Sequence, residues 1–209
     1  MKIFRLVSLA DSLSVLNALL GFSGVTYLLL YGDVGEAFRM LCLASLVDGV
    51  DGLVAEKTEK SAVGKQLDSF GDAISFGVLP ASMLVIFSPH FFPLAALLLA
   101  FAVLRLARFN VENFTDFYGL PTLPNALLVA SLILLDVDAK LLAAIVAVTS
   151  ILMVSDIVYP RLKRSLLIAG AIVAAAAILK EPALTALASA AYVLSPVAKR
   201  LYGRGESGF

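Results

Sequence analysis

Apolar residues fill this chain in runs of about 20, the length that crosses the hydrocarbon core of a bilayer as a helix. Short polar connections such as YGDVGE, SPHFFP, VYPRLKR and KEP separate the runs. The pattern predicts eight membrane spans, roughly at 13–32, 36–56, 66–88, 91–111, 120–136, 139–158, 163–179 and 181–199. Residues 1–11 read as a short amphipathic helix in the interface, with Lys2 and Arg5 on its polar side. The expected architecture is all-α: a polytopic membrane helical bundle of about eight transmembrane helices, forming one integral membrane domain over residues 1–209. The Ala-rich stretch 168–194 is low in complexity, and its small residues suit close packing of helices in lipid.

Composition supports the same class. The chain is 60% hydrophobic and 15% charged, against about 45–50% and about 25% in soluble domains. Its net charge is zero, which gives no footing for a nucleic-acid partner. The single cysteine, Cys42, excludes an internal disulfide and reads as a small packed hydrophobe. The 16 basic residues test the map of spans. The termini and the even-numbered connections hold nearly all of them, while the opposite side holds only Arg39, Lys140 and Lys180. That asymmetry places both termini and the 56–65 connection on the cytoplasmic side of a cell membrane. An even number of spans is then required, and eight satisfies it.

Polar chemistry concentrates in DGVDGLVAEKTEKSAVGKQLDSFGD, Asp48 to Asp72. Asp48 and Asp51 are spaced i, i+3 near the end of the second span. Asp68 and Asp72 are spaced i, i+4 near the start of the third. Each pair shares one face of its helix, and a short connection makes the two helices antiparallel neighbours. Gly49, Gly52, Gly64 and Gly71 permit close approach of a backbone or a ligand. Four ionised carboxylates in partial hydrocarbon repel one another and lose solvation. No matching set of four basic residues lies at that depth, and two divalent cations would cancel the charge. Hard oxygen ligands suit Mg²⁺, Mn²⁺ or Ca²⁺ rather than zinc. Paired ions held by aspartates suit chemistry on a phosphate. A single Asp here reads equally well as a helix cap or a solvated loop residue; four at these spacings do not. Intramembrane carboxylates also mark ion pathways, so an ion-coupled transporter is the second reading that the residues alone leave open.

The pattern Asp48-x2-Asp51-Gly52-x2-Ala55, then Gly64-x3-Asp68-x3-Asp72, resembles the signature of the CDP-alcohol phosphotransferases. Those membrane enzymes move a phosphatidyl-type group from a CDP-linked lipid to an alcohol and release CMP. LNALLGF, GKQLDSFGDAISFGVLPA, RLARFN and GLPTLPNA resemble the phosphatidylserine and archaetidylserine synthase branch. The likeness covers residues from about 10 to 130. It implies a six-helix catalytic core with two further spans, the catalytic part lying in 12–130 and further transmembrane helices in 131–209. Two departures stand out. Glu56 occupies the place where the family usually has an Arg that binds the nucleotide diphosphate, and the spacer to Gly64 is about one residue short.

The resemblance implies the following roles. Asp48, Asp51 and Asp68 hold one divalent ion; Asp48, Asp68 and Asp72 hold the other; Asp72 is also the general base. Gly52, Ala55, Ser61 and Gly64 lie along the CDP-lipid, with Asp11 and Ser14, from ADSLS, as weaker matches to the family's first span. The acceptor is L-serine, whose carboxylate suits an Arg clamp from Arg105 or Arg108, with Asn110 beyond. The same arginines also read as cytoplasmic-side anchors. Arg161 and Arg164 are a further phosphate candidate for which anchoring is the simpler reading, and His90 reads as a loop residue on the side away from the aspartates. Inositol phosphate or glycerol phosphate are the alternative acceptors, and Glu56 raises the option of a relative that has lost catalysis. Family members are often homodimers, which the small-residue spans permit.

Overall fold

The computed structural model describes residues 7–55, 61, 63–111, 117–160, 170, 173–176, 179 and 181–203. Helix α1, Leu9–Tyr31, starts at a capping box. Ser8 Oγ accepts from Asp11 N at 3.2 Å, and Asp11 Oδ2 accepts from Ser8 N at 2.6 Å. This reciprocal cap satisfies two donors that a helix start leaves unpaired. It sets the beginning of α1 four residues before the expected start at 13, so Leu9–Asp11 belong to the first span and not to an interfacial helix. The other end closes on Gly32 at φ 64, whose N–H reaches Leu28 O. Asp33 Oδ1 then accepts from Glu36 N at 2.9 Å, and α2 runs from Val34 to Ala55, antiparallel to α1.

The third expected span is one continuous rod of three parts: α3, Gly64–Asp72, a π turn, Ala73–Val78, and α4, Leu79–Phe87. Leu79 N–H bonds back to Ile74 O, five residues away. Pro80, one residue on, has no N–H with which to continue an α ladder. The wide turn carries Ser75 inward, where its Oγ donates to Asn17 O at 2.7 Å. Gly21 of α1 faces the Ser75 backbone so closely that a Cβ would sit 2.7 Å from its Cα. Gly71 does the same lower down, 2.8 Å from Ser14 O. Missing side chains therefore let α3 lie directly on α1.

One turn of 3-10 helix, Pro89–Phe91, which bears the exposed His90, leads into α5, Phe92–Val111. Helix α6, Thr122–Leu134, is the most enclosed element, apolar and buried on nearly every face, as a helix at a bundle centre must be. Its Ala126, Val129 and Ala130 meet a core that includes Phe38, Leu41, Leu79, Met83 and Leu84. Cys42 is buried in this core. Helix α7, Ala139–Met153, starts on Asp138, which caps Lys140 N and Leu141 N. It ends five residues before the expected 158. There the chain turns, and Val158–Tyr159 (β2) pairs antiparallel with Phe117–Tyr118 (β1), Phe117 opposite Tyr159. This two-residue ladder is the one departure from all-α among the described residues. Gly119, at φ 76, lies against Met153 O, where any Cβ would overlap the carbonyl. The described residues 170, 173–176 and 179 are helical; the rest of the seventh expected span, with Arg161 and Arg164, lies outside the described residues, as does Glu56. The last helix, α8, Pro182–Gly203, packs along α6.

Among the described residues, three helices, Leu9–Tyr31, the Gly64–Phe87 rod and Pro89–Val111, are long and apolar enough to cross a membrane. Thr122–Leu134, Ala139–Met153 and Pro182–Val197 are apolar but shorter. Helix α2 has the length and carries Glu36, Arg39, Asp48 and Asp51. The chain is an all-α, multi-pass membrane bundle.

Candidate active site

The chemistry lies at one end of the bundle, where α1 and α3 begin and α2 and α5 end. Asp48 of α2 and Asp68 and Asp72 of α3 point into a common space. Each offers one carboxylate oxygen, and the three oxygens lie within 4.8 Å of one another. The i, i+4 spacing puts Asp68 and Asp72 on one face of α3, and the antiparallel α2 brings Asp48 opposite. All three are half-buried. Asp51, one turn on from Asp48, faces a different partner: Ser14 Oγ of α1 donates to its Oδ2. Asp51 is 6% exposed, and its charge still reaches Asp68.

Helix α1 supplies the support. Asn17 Nδ2 donates to Asp72 Oδ1 at 3.2 Å, while Asn17 Oδ1 is buried without a hydrogen-bond partner among the described residues. Sequence reasoning missed Asn17 as a site residue. The available signal was an amide inside an apolar run, three residues after Ser14, so that both lie on one helix face. Asp11, Ser61 and Gly64 also come together: Ser61 hydrogen bonds to the Asp11 side chain, and a Cβ at Gly64 would lie 2.8 Å from Asp11 Oδ1. Gly52 and Ala55 continue α2 beyond Asp51. Gly49, by contrast, faces open space among the described residues, with nothing within 4 Å of its Cβ position.

Helix α5 supplies the positive charge. Arg105 is 8% exposed, and its charge acts on Asp72, Asp48 and Asp68. Its Nη1 donates to Thr122 Oγ1 of α6 at 3.5 Å, its guanidinium lies 5.9 Å from the Phe109 ring centre, and its Nε has no hydrogen-bond partner among the described residues. Arg108 engages the segment that follows α7. Its Nη2 pairs with Asp156 Oδ1 at 2.9 Å, and it lies 5.7 Å over the Tyr118 ring. Asn110 ties α5 to α3: its Nδ2 donates to Ser69 Oγ at 2.8 Å, and its carbonyl accepts from Lys65 Nζ at 2.8 Å. Of the three residues grouped by sequence as an acceptor pocket, Arg105 is, among the described residues, the one whose charge reaches all three carboxylates.

The donor set fits a divalent cation. Three carboxylate oxygens converge from two rigid helices, nothing softer than oxygen is among them, and one guanidinium offsets only part of their charge. The acidic cluster is therefore a candidate metal centre.

Comparison with known proteins bears on this arrangement. The family described as CDP-alcohol phosphatidyltransferase matches residues 7–158. An archaetidylserine synthase of Methanothermobacter thermautotrophicus is 37% identical over 173 residues, covering 77% of this chain and 72% of that protein. A CDP-diacylglycerol–serine O-phosphatidyltransferase of Methanocaldococcus jannaschii is 33% identical over 164 residues, covering 77% of each chain. One of the same description from Bacillus subtilis is 31% identical over 144 residues, covering 65% of this chain and 81% of that protein.

Proposed function

Because the chain belongs to the CDP-alcohol phosphatidyltransferase family, we propose that it moves a phosphatidyl-type group from a CDP-linked lipid, of the diacylglycerol or archaeol kind, to the hydroxyl of L-serine and releases CMP. One arrangement carries the reading: three carboxylates from α2 and α3 gathered within 4.8 Å, with the buried Arg105 beside them. The serine acceptor follows the relatives' descriptions and the charge of the site. Among the described residues, Arg105 is the basic side chain whose charge reaches all three carboxylates. A single guanidinium matches a carboxylate bidentately, whereas inositol phosphate or glycerol phosphate would bring a phosphate that calls for more cationic groups.

In this reading Asp48, Asp51 and Asp68 hold one divalent ion and Asp48, Asp68 and Asp72 a second, Mg²⁺ or Mn²⁺, with Ca²⁺ also suited to oxygen ligands. Such ions, when bound, polarise phosphate oxygens and neutralise the charge that develops on them. Asp72 takes the proton of the serine hydroxyl as general base. The hydroxyl oxygen bonds to the lipid-side phosphorus, the bond from that phosphorus to the bridging oxygen breaks, and CMP leaves with the electron pair. Gly52, Ala55, Ser61, Gly64, Ser14 and Asp11 flank the CDP-lipid. Arg105 holds the amino-acid carboxylate, with Asn110 and Arg108 at the outer edge. The excess of basic residues on the same side supports a cytoplasmic site and cytoplasmic termini. The working unit in this reading is a homodimer.

Product identity tests the reading. Purified protein receives CDP-diacylglycerol or the CDP-linked ether lipid, with serine, glycerol phosphate or inositol phosphate, and the lipid product is identified by mass spectrometry. A serine-headgroup lipid is expected. A product formed only with a phosphorylated acceptor would overturn the serine assignment.

A further inference from the structure

Asn17 of α1 is tied twice to the rod that carries Asp72. Its Nδ2 donates to Asp72 Oδ1 at 3.2 Å, and its backbone carbonyl accepts from Ser75 Oγ at 2.7 Å. Gly71 and Ser75 are spaced i, i+4 and share the face of the rod that lies on α1. The fit there is tight. A Cβ at Gly71 would lie 3.3 Å from Asn17 Nδ2, and a Cβ at Gly21 would lie 2.7 Å from Ser75 Cα. Within α1 the Asn17 carbonyl is already the acceptor for the N–H four residues on, that of Gly21. The Ser75 bond is therefore a second one, which the helix itself does not require. The backbone around Ser75 is also uncommon. The π turn opens at Ala73, the residue after Asp72, and such turns are rare and recur at functional sites.

Two features show what the second bond does. The contact from Asn17 Nδ2 to Asp72 stands at the long end of the N–H···O range of about 2.7–3.2 Å. It has no slack, and a small slide of α1 along the rod would break it. The amide also gets no support from its other end, because Asn17 Oδ1 is buried without a hydrogen-bond partner among the described residues. An orphaned buried oxygen costs free energy, and the bond to the Asp72 carboxylate is what the amide gains there. Whether it reaches Asp72 depends on where the Asn17 backbone sits. Ser75 ties that backbone to the rod, three residues from Asp72.

We propose that Ser75 is a positioning residue for Asp72, acting through Asn17. The π turn brings the Ser75 hydroxyl onto the Asn17 carbonyl, Ser75 sets the register of α1 on the rod, and Asn17 in that register holds one carboxylate oxygen of Asp72. The carboxylate is then oriented before any substrate arrives, as a base that must meet a hydroxyl proton needs to be. Ser75 itself touches neither substrate nor Asp72. This inference rests on the reading of Asp72 as general base.

The test compares Ser75→Ala with wild type by CMP release, with serine and CDP-lipid varied separately. Ala removes the hydroxyl, suits a helix, and leaves the Asn17 carbonyl its bond within α1. The expected result is a kcat lowered about three- to tenfold, the scale of one hydrogen bond between neutral groups. Both KM values should stay within about twofold. Ser82→Ala is the control. Ser82 lies on the same rod and bonds only back to Val78 O, at 2.8 Å, so its loss should leave kcat alone. The double variant separates positioning from simple loosening of the helix pair. If Ser75 acts through Asn17, adding Ser75→Ala to Asn17→Ala should lower kcat no further. Loosening of the packing would cost the same with or without the amide. An unchanged kcat in Ser75→Ala, a rise in either KM with kcat unchanged, or full additivity with Asn17→Ala overturns the proposal. Each of those outcomes leaves the base reading standing if Asp72→Asn is inactive. Full activity of Asp72→Asn overturns the base reading, and this inference with it.

Discussion

Asn17 Nδ2 donates to Asp72 Oδ1 at 3.2 Å, joining the first helix to the last carboxylate of the acidic cluster. Asp72 is the residue assigned as base, and the bond holds one of its two carboxylate oxygens. Asn17→Ala removes the donor and leaves Asp72 free to turn. Turnover should fall about 10- to 100-fold, the scale of a lost hydrogen bond to a charged group. The KM for CDP-lipid should stay within about twofold. Steady-state kinetics of the purified variant check both numbers.

Asp72→Asn keeps the size of the side chain and removes its basicity. Turnover should be abolished, because the serine hydroxyl is a poor nucleophile with its proton on. Binding of Mn²⁺, followed by calorimetry, should persist in weakened form, since Asp48 and Asp68 still offer oxygens from two helices. Full activity in this variant would remove Asp72 from the role of base.

The glycines divide by what they face. At Gly71 a Cβ would lie 2.8 Å from Ser14 O, a backbone atom that cannot step aside cheaply. Gly71→Ala should destabilise the protein by about 1–3 kcal/mol, the usual cost of overpacking. It should also lower activity, by pushing α3 and its two aspartates off α1. At Gly49 nothing among the described residues lies within 4 Å. Gly49→Ala should preserve or raise stability, by up to ~1 kcal/mol, because Gly is a poor helix former. Thermal unfolding in detergent separates the two.

The two arginines of RLARFN should behave differently. Arg105 is buried beside the carboxylates, and Arg108 pairs with Asp156, whose side chain is 90% exposed. Arg105→Ala should raise the KM for serine by more than tenfold, having removed a buried charge–carboxylate contact. Arg108→Ala breaks an exposed ion pair worth at most about 1 kcal/mol and should change the same KM by less than about threefold. Serine titrations of both variants give the comparison.

Much of this was legible in the sequence, for a physical reason. A helix in lipid must satisfy its own backbone, so hydropathy alone located α1, α2, the α3–α4 rod and α5 within a few residues. Spacing also located the carboxylates, because i, i+3 and i, i+4 fix a helix face before any tertiary contact is known. Three features were not legible. The π turn at 73–78 depends on how Gly21 and Ser75 meet across two helices. The early end of α7 depends on Val158–Tyr159 finding Phe117–Tyr118, some forty residues away. The division of labour between Arg105 and Arg108, three residues apart, depends on Thr122 and Asp156, which lie outside α5. Local pattern gives faces; which partner a face meets is a long-range fact.

The most direct measurement is CMP release by the purified protein from a CDP-linked lipid, with and without L-serine, and with and without a divalent ion after chelation. The account predicts release only when serine and Mg²⁺ or Mn²⁺ are both present, matched one for one by a serine-headgroup lipid. Absence of CMP release with every donor and acceptor, alongside cation flux in proteoliposomes, would contradict it and make the acidic cluster an ion pathway.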